Sequence, residues 1–538
     1  MITPKKVLIG SSLAILGLII AFSDPGRLLS KWQAQREVSH GKELATLYCS
    51  TCHLEPLPDI LPKRSWEMVL GYMGYMMGIE NIDYLSHHPE FAQENVKSKL
   101  TFLTRENMVP AAPILSDSDW ETLRHYYVES ATEVPIPQAS KPTLSWELPQ
   151  FDIVQSNYRS DPTITTLVHV KEDTNQVYIG DAAANSLAIL GADGQLISPP
   201  LKFGPAIAPV DIEFTADSAF LASIGDLFSV TASFEKVATI SRLPLVDQSV
   251  TSTSISVAIN DIYRMADMDT DDFNGDGVLD FVECGFGGQQ GNLAWFESQP
   301  DGSYLEHVLI GRPGAVKAVI HDFNGDQHPD IAVLLSHAQE GFYILTNNGE
   351  NEFESTTIFE THPSYGHTYF ELQDFNQDGQ MDFLVVNGDN VDSDPYNTLK
   401  NFQGIRIYLN QGDLQFEEAY FYPMYGAFGA RAADFDNDGD LDIAAISFSP
   451  DFAIEQRESF VYLENNGRLE FTAHSTPELN SGRWMTIDAG DIDGDADVDI
   501  VLGGANVPTG MFAFMDTYRA LAESAPSILI LDNNSIKN

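Results

Sequence analysis

Five aspartate-rich segments at near-regular intervals constrain the fold of this chain more than any other feature. They read DFNGDGVLDFV, DFNGDQHPDIAV, DFNQDGQMDFLVV, DFDNDGDLDIAAI and DIDGDADVDIVL, and begin at Asp272, Asp322, Asp374, Asp434 and Asp491. The intervals are 50, 52, 60 and 57 residues, the size of one four-stranded blade, and a fixed period of that length marks a repeat architecture. Each segment runs into an apolar β-type stretch such as Phe281-Val282, Ile331-Ala332-Val333 or Phe383-Leu384-Val385-Val386. Most repeats then carry a further strand with an Asn/Gly turn, as in ILTNNGENEF, IYLNQGDLQF and VYLENNGRLEF.

Within each segment, oxygen-bearing side chains stand at positions 1, 3, 5 and 9. The sets are Asp272, Asn274, Asp276, Asp280; Asp322, Asn324, Asp326, Asp330; Asp374, Asn376, Asp378, Asp382; Asp434, Asp436, Asp438, Asp442; and Asp491, Asp493, Asp495, Asp499. A loop that curls around a hard cation needs oxygens on alternate residues and a backbone carbonyl at position 7, so the expected ion is Ca2+, in three to five sites. Position 6, where the turn is sharpest, is Gly277, Gly379 and Gly439 in three loops but Gln327 and Ala496 in the others. Weaker or distorted sites are expected at those two. Two further segments, LVHVKEDTNQVYIGDAAANSLAIL and IEFTADSAFLASIGDLFSVT, keep the strand-turn-strand rhythm without the acidic ladder. Together these make an all-β seven-bladed propeller over residues 156–538, a ring that closes without long exposed edges. The repeats resemble FG-GAP/VCBS repeats, the calcium-loop blades of integrin α-chain propellers and of many bacterial exported proteins.

The N-terminal part reads differently. Lys5 and Lys6 precede an apolar run from Val7 to Phe22, too short for a typical span of about 20 residues. Ala21-Phe22-Ser23 suits a cleavage site, so residues 1–23 are expected to be a signal peptide, with a membrane anchor as the alternative. The body is then exported, to the periplasm or cell envelope of a bacterium. Farther on, CSTCH places Cys49, Cys52 and His53 in the C-x-x-C-H pattern that attaches a c-type haem, two thiols adding to the vinyl groups and the histidine lying below the iron. No second cysteine pair is present for a zinc site, since the only other cysteine is Cys284. Leu44, Leu47 and Tyr48 before the motif keep helical spacing. Ser116 reads as an N-cap, with Asp119 three residues on and Trp120, Leu123 and Tyr127 along one face. The order resembles class I cytochromes c, a small all-α haem domain over residues 24–134. For the sixth ligand the favoured residue is Met73, in W-x-x-V-L-x-x-M after Trp66, with Met108 second. Met76 and Met77 read as packing, and His87, His88 and His125 as surface or interhelical residues. Pro135, Pro137, Pro142 and Pro149 mark a linker over residues 135–155.

The whole arrangement resembles bacterial exported proteins in which a cytochrome c-like domain precedes an FG-GAP propeller, which implies architecture without fixing an activity. With 78 acidic against 29 basic residues and a formal charge of -49, nucleic acid is excluded as a partner. The expected function is single-electron transfer to or from a redox partner protein docked on the propeller, with the enzyme question open, leaning to no, and an oxidoreductase if yes. Two alternatives stand: a haem-containing dehydrogenase whose propeller binds an organic substrate, and an adhesion or complex-assembly module. The insertion NGDNVDSDPYNTLKNFQG, with Asp389, Asp392, Asp394 and Tyr396, reads as an inter-strand loop more than a lid. Cys284, Trp295 and Trp484 read as buried core, and His321, His362 and His367 show no ligand spacing.

Overall fold

The computed structural model describes residues 25–79, 100–227, 229, 235–251, 254–349, 351–390 and 396–536. The expected signal segment 1–23, His87, His88, Asp392 and Asp394 lie outside these. The described chain forms two compact units. One is residues 25–134, apart from Cys52–Pro56, which groups with the other unit, residues 135–536.

The first unit is built from three long helices, Pro25–Tyr48, Lys63–Met76 and Asp117–Ser130. The last begins where the sequence expects it. Ser116 Oγ accepts the Asp119 N–H at 3.2 Å, satisfying one of the donors that a helix start leaves unpaired. Trp120, Leu123 and Tyr127 are buried along its inner face. Gly41 lies against it, because a Cβ there would come within 2.4 Å of Tyr126 Cβ, so the first and last helices touch backbone to side chain. Trp66 packs against Tyr127 in a tilted pair with centroids 4.4 Å apart and donates to the Pro58 carbonyl at 2.6 Å. Leu47, expected on the packed face, is exposed.

The second unit is a ring of seven antiparallel sheets. The two segments without an acidic ladder make blades one and two. The five aspartate loops join the innermost strand to the second strand in blades three to seven. These second strands, such as Asp280–Gly285 and Asp442–Ser447, are buried at every residue, because neighbouring blades cover both faces. That accounts for their continuous apolar runs where a half-exposed strand would alternate. Cys284 lies in this layer among Val282, Leu293 and Trp295, and burial pushes its thiol well above the ordinary range.

The expected linker 135–155 is not a free tether. Its last five residues, Phe151–Gln155, form the outer strand of blade seven, pairing antiparallel with Ile528–Asn533 from the far end of the chain. Upstream, Ser145 pairs with His474 of blade six, and Lys141 Nζ donates to the Pro423 carbonyl at 2.6 Å. Its prolines lack N–H groups, so the segment follows the blades by side chains and isolated bridges.

Around the axis the blades are joined by acids. Asp211 accepts the Met268 N–H, Asp267 that of Ala318, Asp269 that of Ile320, Glu371 that of Ala432, and Asp488 that of Val170, at 2.7–3.1 Å. In each case a carboxylate on one innermost strand takes a backbone donor from another. Asp488 is the bond across the seam between blades seven and one, and it also holds Arg431 Nη2 at 2.9 Å. Asp488→Ala strips a partner from a part-buried N–H and from a guanidinium, so a loss of about 2–4 kcal/mol is expected in urea denaturation of the full chain.

Candidate functional site

The C-x-x-C-H motif sits where the first helix tightens. The α-helix ends at Tyr48 and Cys49–Thr51 continue as one 3-10 turn, so the two thiols stand about a turn apart. Cys49 is half-buried and Cys52 exposed. His53 is half-buried, and its Nδ1–H donates to the Leu54 carbonyl at 2.9 Å. That bond assigns the proton to Nδ1 and leaves the Nε2 lone pair available to a metal. Burial holds the imidazole below its ordinary pKa, in the neutral form that ligation needs. Met73, in the last turn of Lys63–Met76, and Met108 are both half-buried, so either thioether remains a candidate sixth ligand. These residues fit a covalently held haem. His125 is on the surface.

All five acidic loops share one backbone. The position-1 aspartate accepts the N–H of position 6 in every loop and that of position 5 in the first four: Asp272 takes Asp276 at 3.0 Å and Gly277 at 2.8 Å, and Asp374 takes Asp378 at 3.1 Å and Gly379 at 2.8 Å, whereas Asp491 takes Gly494 at 2.7 Å and Ala496 at 3.0 Å. The loops with Gln327 and Ala496 keep the bond, at 2.9 and 3.0 Å, and keep the left-handed turn, with φ of 72° and 76° against 83° at Gly277. The expected distortion at these two positions is therefore a backbone strain, with the loop shape retained. Position 9 is a clasp. One oxygen accepts the N–H at the end of the third strand, from Ser298, Asn347, Asn410, Asn465 and Asn533, at 2.7–2.8 Å. The other takes Trp295 Nε1, the Phe323 and Phe375 N–H groups, the Tyr462 hydroxyl or the Ile492 N–H. Carboxylate oxygens of Asp434, Asp436 and Asp438 lie within 4.8 Å of one another, as do those of Asp491, Asp493 and Asp499. This hard, all-oxygen donor set fits a calcium ion. Crowding shows in the acids themselves: burial, then Asp438, pushes Asp436 up to about 6, and burial pushes Asp442 and Asp499 up to about 7.

The third feature was missed from the sequence. A cavity of about 1160 Å3 lies on the propeller axis, lined from all seven innermost strands by residues that include His169, Glu213, Asp269, Lys317, Arg431 and Asp488. A signal was available: the residue three before each loop is Asp269, Val319, Glu371, Arg431 or Asp488, charged in four of five repeats and on the strand face turned to the axis. In the blade-five insertion, the described residues at its two ends bond to one another. Asn390 Nδ2 donates to Asn397 Oδ1 at 2.9 Å, and Gln403 Nε2 to Asn390 Oδ1 at 2.9 Å. His367 is buried against Glu340 at 2.9 Å.

Residues 272–333, 322–385 and 390–445 each match the FG-GAP-like repeat family. The chain carries FG-GAP-like repeats. No curated protein matches it by sequence. Among solved structures it is similar to virginiamycin B lyase from Staphylococcus aureus, at 12% identity over 71% of this chain and 98% of that one, with a TM-score of 0.43. It is also similar to the WD40 β-propeller domain of Doa1, at 10% identity over 71% and 96%, with a TM-score of 0.41.

Two predictions follow from the loop geometry. A Cβ at Gly277 or Gly379 would meet nothing within 4 Å, so the turn asks for glycine through φ alone. Gln327→Gly and Ala496→Gly should each stabilise the propeller by about 0.5–1 kcal/mol in chemical denaturation, left-handed strain relieved less chain freedom gained. The second concerns metal and pH. Asp436, Asp442 and Asp499 have folded pKa values above the ordinary 3.8, so in chelator their contribution is full below about pH 4 and is lost as pH rises toward 7. Calcium binds the ionised forms and opposes that loss. The gap between melting temperatures with calcium and with chelator should therefore widen from pH 5 to pH 7.5 in scanning calorimetry.

Proposed function

We propose that this chain is an exported c-type cytochrome that passes single electrons, on a calcium-stapled propeller that docks a redox partner protein. The observation that carries the reading is His53, with Nδ1 engaged by the Leu54 carbonyl and Nε2 left open beside two cysteines one turn apart. When bound, the haem supplies a one-electron iron couple. The chain's own residues do the rest. Cys49 and Cys52 fix the macrocycle edge, His53 supplies the proximal nitrogen, and Met73 or Met108 supplies the thioether. The Gly41–Tyr126 helix crossing holds the motif's helix against the last helix, which supports the cytochrome c-like reading of this unit. Calcium in three to five loops is held by the carboxylates at positions 1, 3 and 5 and their position-9 partners.

A second reading, a haem-linked dehydrogenase, draws on one observation, the open charged cavity on the axis. The electron-transfer reading asks less of the molecule, since every polar group it uses is accounted for by the motif itself.

The test is expression of the full chain with c-type haem maturation. A covalent low-spin haem is expected, and Cys49→Ser with Cys52→Ser should abolish it. Met73→Ala should convert the oxidised spectrum to high spin and remove its methionine charge-transfer band, while loss of the band in Met108→Ala instead would assign the ligand there. Failure of the native chain to bind haem covalently overturns the reading.

A further inference from the structure

The lining of the axial cavity includes a central group of six carboxylates, Asp211, Glu213, Asp267, Asp269, Glu371 and Asp488, against two cations, Lys317 and Arg431, with Lys171, Glu172 and Asp173 of blade one beside them. Five of the six are already committed. Both oxygens of Asp211 accept backbone N–H groups, from Ile212 and Met268, and both of Asp269 do so from Thr270 and Ile320. Asp267 holds Lys317 Nζ at 3.2 Å and the Ala318 N–H at 2.9 Å. Glu371 takes the Ala432 N–H and Arg431, and Asp488 takes Arg431 and the N–H groups of Val170 and Ala489. Both cations are thus neutralised by acids of the ring. Glu213 is different: among the described residues its carboxylate has no hydrogen bond and no ion pair, although it lines the cavity.

A carboxyl group placed without a partner among like charges is costly unless something else meets it. We propose that the axial cavity binds a small organic cation, an aliphatic primary amine, with Glu213 as the carboxylate that receives its ammonium group. The charge balance of the lining excludes an anion. A bare divalent ion would need about six to eight oxygens converging on one point, whereas Asp267, Glu371 and Asp488 are already paired with Lys317 and Arg431. The volume, about 1160 Å3, is that of a site for an organic molecule.

The empty site has a recognisable chemistry. Burial, then Asp211, Asp269 and Asp267, push Glu213 up to about 9, against the pull of Lys317. The other charged groups lining the cavity around it are Lys171, Glu172 and Asp173 of blade one, with His169, and Glu371, Arg431 and Asp488 across the axis. In the empty cavity near neutral pH Glu213 is therefore the neutral acid. An arriving ammonium keeps its three protons, Glu213 ionises, and one proton is released to solvent. Binding should tighten as pH rises toward 9.

The inference is independent of the haem, so its test reads binding alone. The full chain in saturating calcium is titrated with 1,4-diaminobutane by isothermal calorimetry at pH 7.5, in two buffers of different ionisation enthalpy. Saturable binding at one per chain is expected, with release of close to one proton. Glu213→Gln should weaken the Kd about 10- to 100-fold, the loss of one charge-assisted hydrogen bond. Glu213→Asp, which keeps the charge, should retain measurable binding, and unchanged melting of both variants shows that the ring is intact. Equal affinity in the native chain and Glu213→Gln, no binding in the native chain, or displacement of the diamine by Mg2+ would each overturn the proposal.

Discussion

An aspartate oxygen accepting a backbone N–H is the bond on which this propeller depends. It occurs in three settings. At position 1 of each loop it curls the chain, as Asp272 does with the donors of Asp276 and Gly277. At position 9 it clasps the loop to the end of the third strand, as Asp330 does with Asn347. On the axis it ties blade to blade, as Asp267 does with Ala318. Aspartate suits all three because its carboxylate accepts only and sits on a short stem. The same choice gathers like charges at the loops, where burial first and neighbouring aspartates second raise the carboxyl pKa values. On the axis Lys317 and Arg431 offset these charges, and in the loops that role falls to calcium on the proposed reading.

This bond explains both what the sequence disclosed and what it concealed. The blades were legible because the loop must recur once per blade, and the buried second strands because they sit between neighbours and read as unbroken apolar runs. Blades one and two were recoverable only by rhythm. The axial ladder stayed hidden because a charged residue three places before a loop looks like ordinary strand polarity. Only the ring brings Asp269, Glu371, Arg431 and Asp488 to one axis. At Gln327 and Ala496 position-1 oxygens hold the turn even where glycine is missing.

In the helical unit, local signals were reliable and distant ones were not. The Ser116 cap and the Trp120, Leu123, Tyr127 face depend on neighbours a few residues away. Gly41 gave no such signal, because its role is to let Tyr126, 85 positions downstream in the numbering, lie flush against its helix. The proline-spaced segment reads as a linker, and nothing within its Phe151–Gln155 announces a partner strand at Ile528–Asn533.

That long-range pairing gives the ring a length check. During synthesis six blades can assemble in order, but the seventh stays incomplete until residues 528–533 arrive to meet a strand made hundreds of residues earlier. A chain broken off before that point is left with an unpaired strand at Phe151–Gln155 and an open seam beside Asp488. Unpaired edges of this kind invite aggregation and proteolysis. The presence of residues 528–533 is thus read out as closure of a circle, and only chains that carry them present a sealed surface.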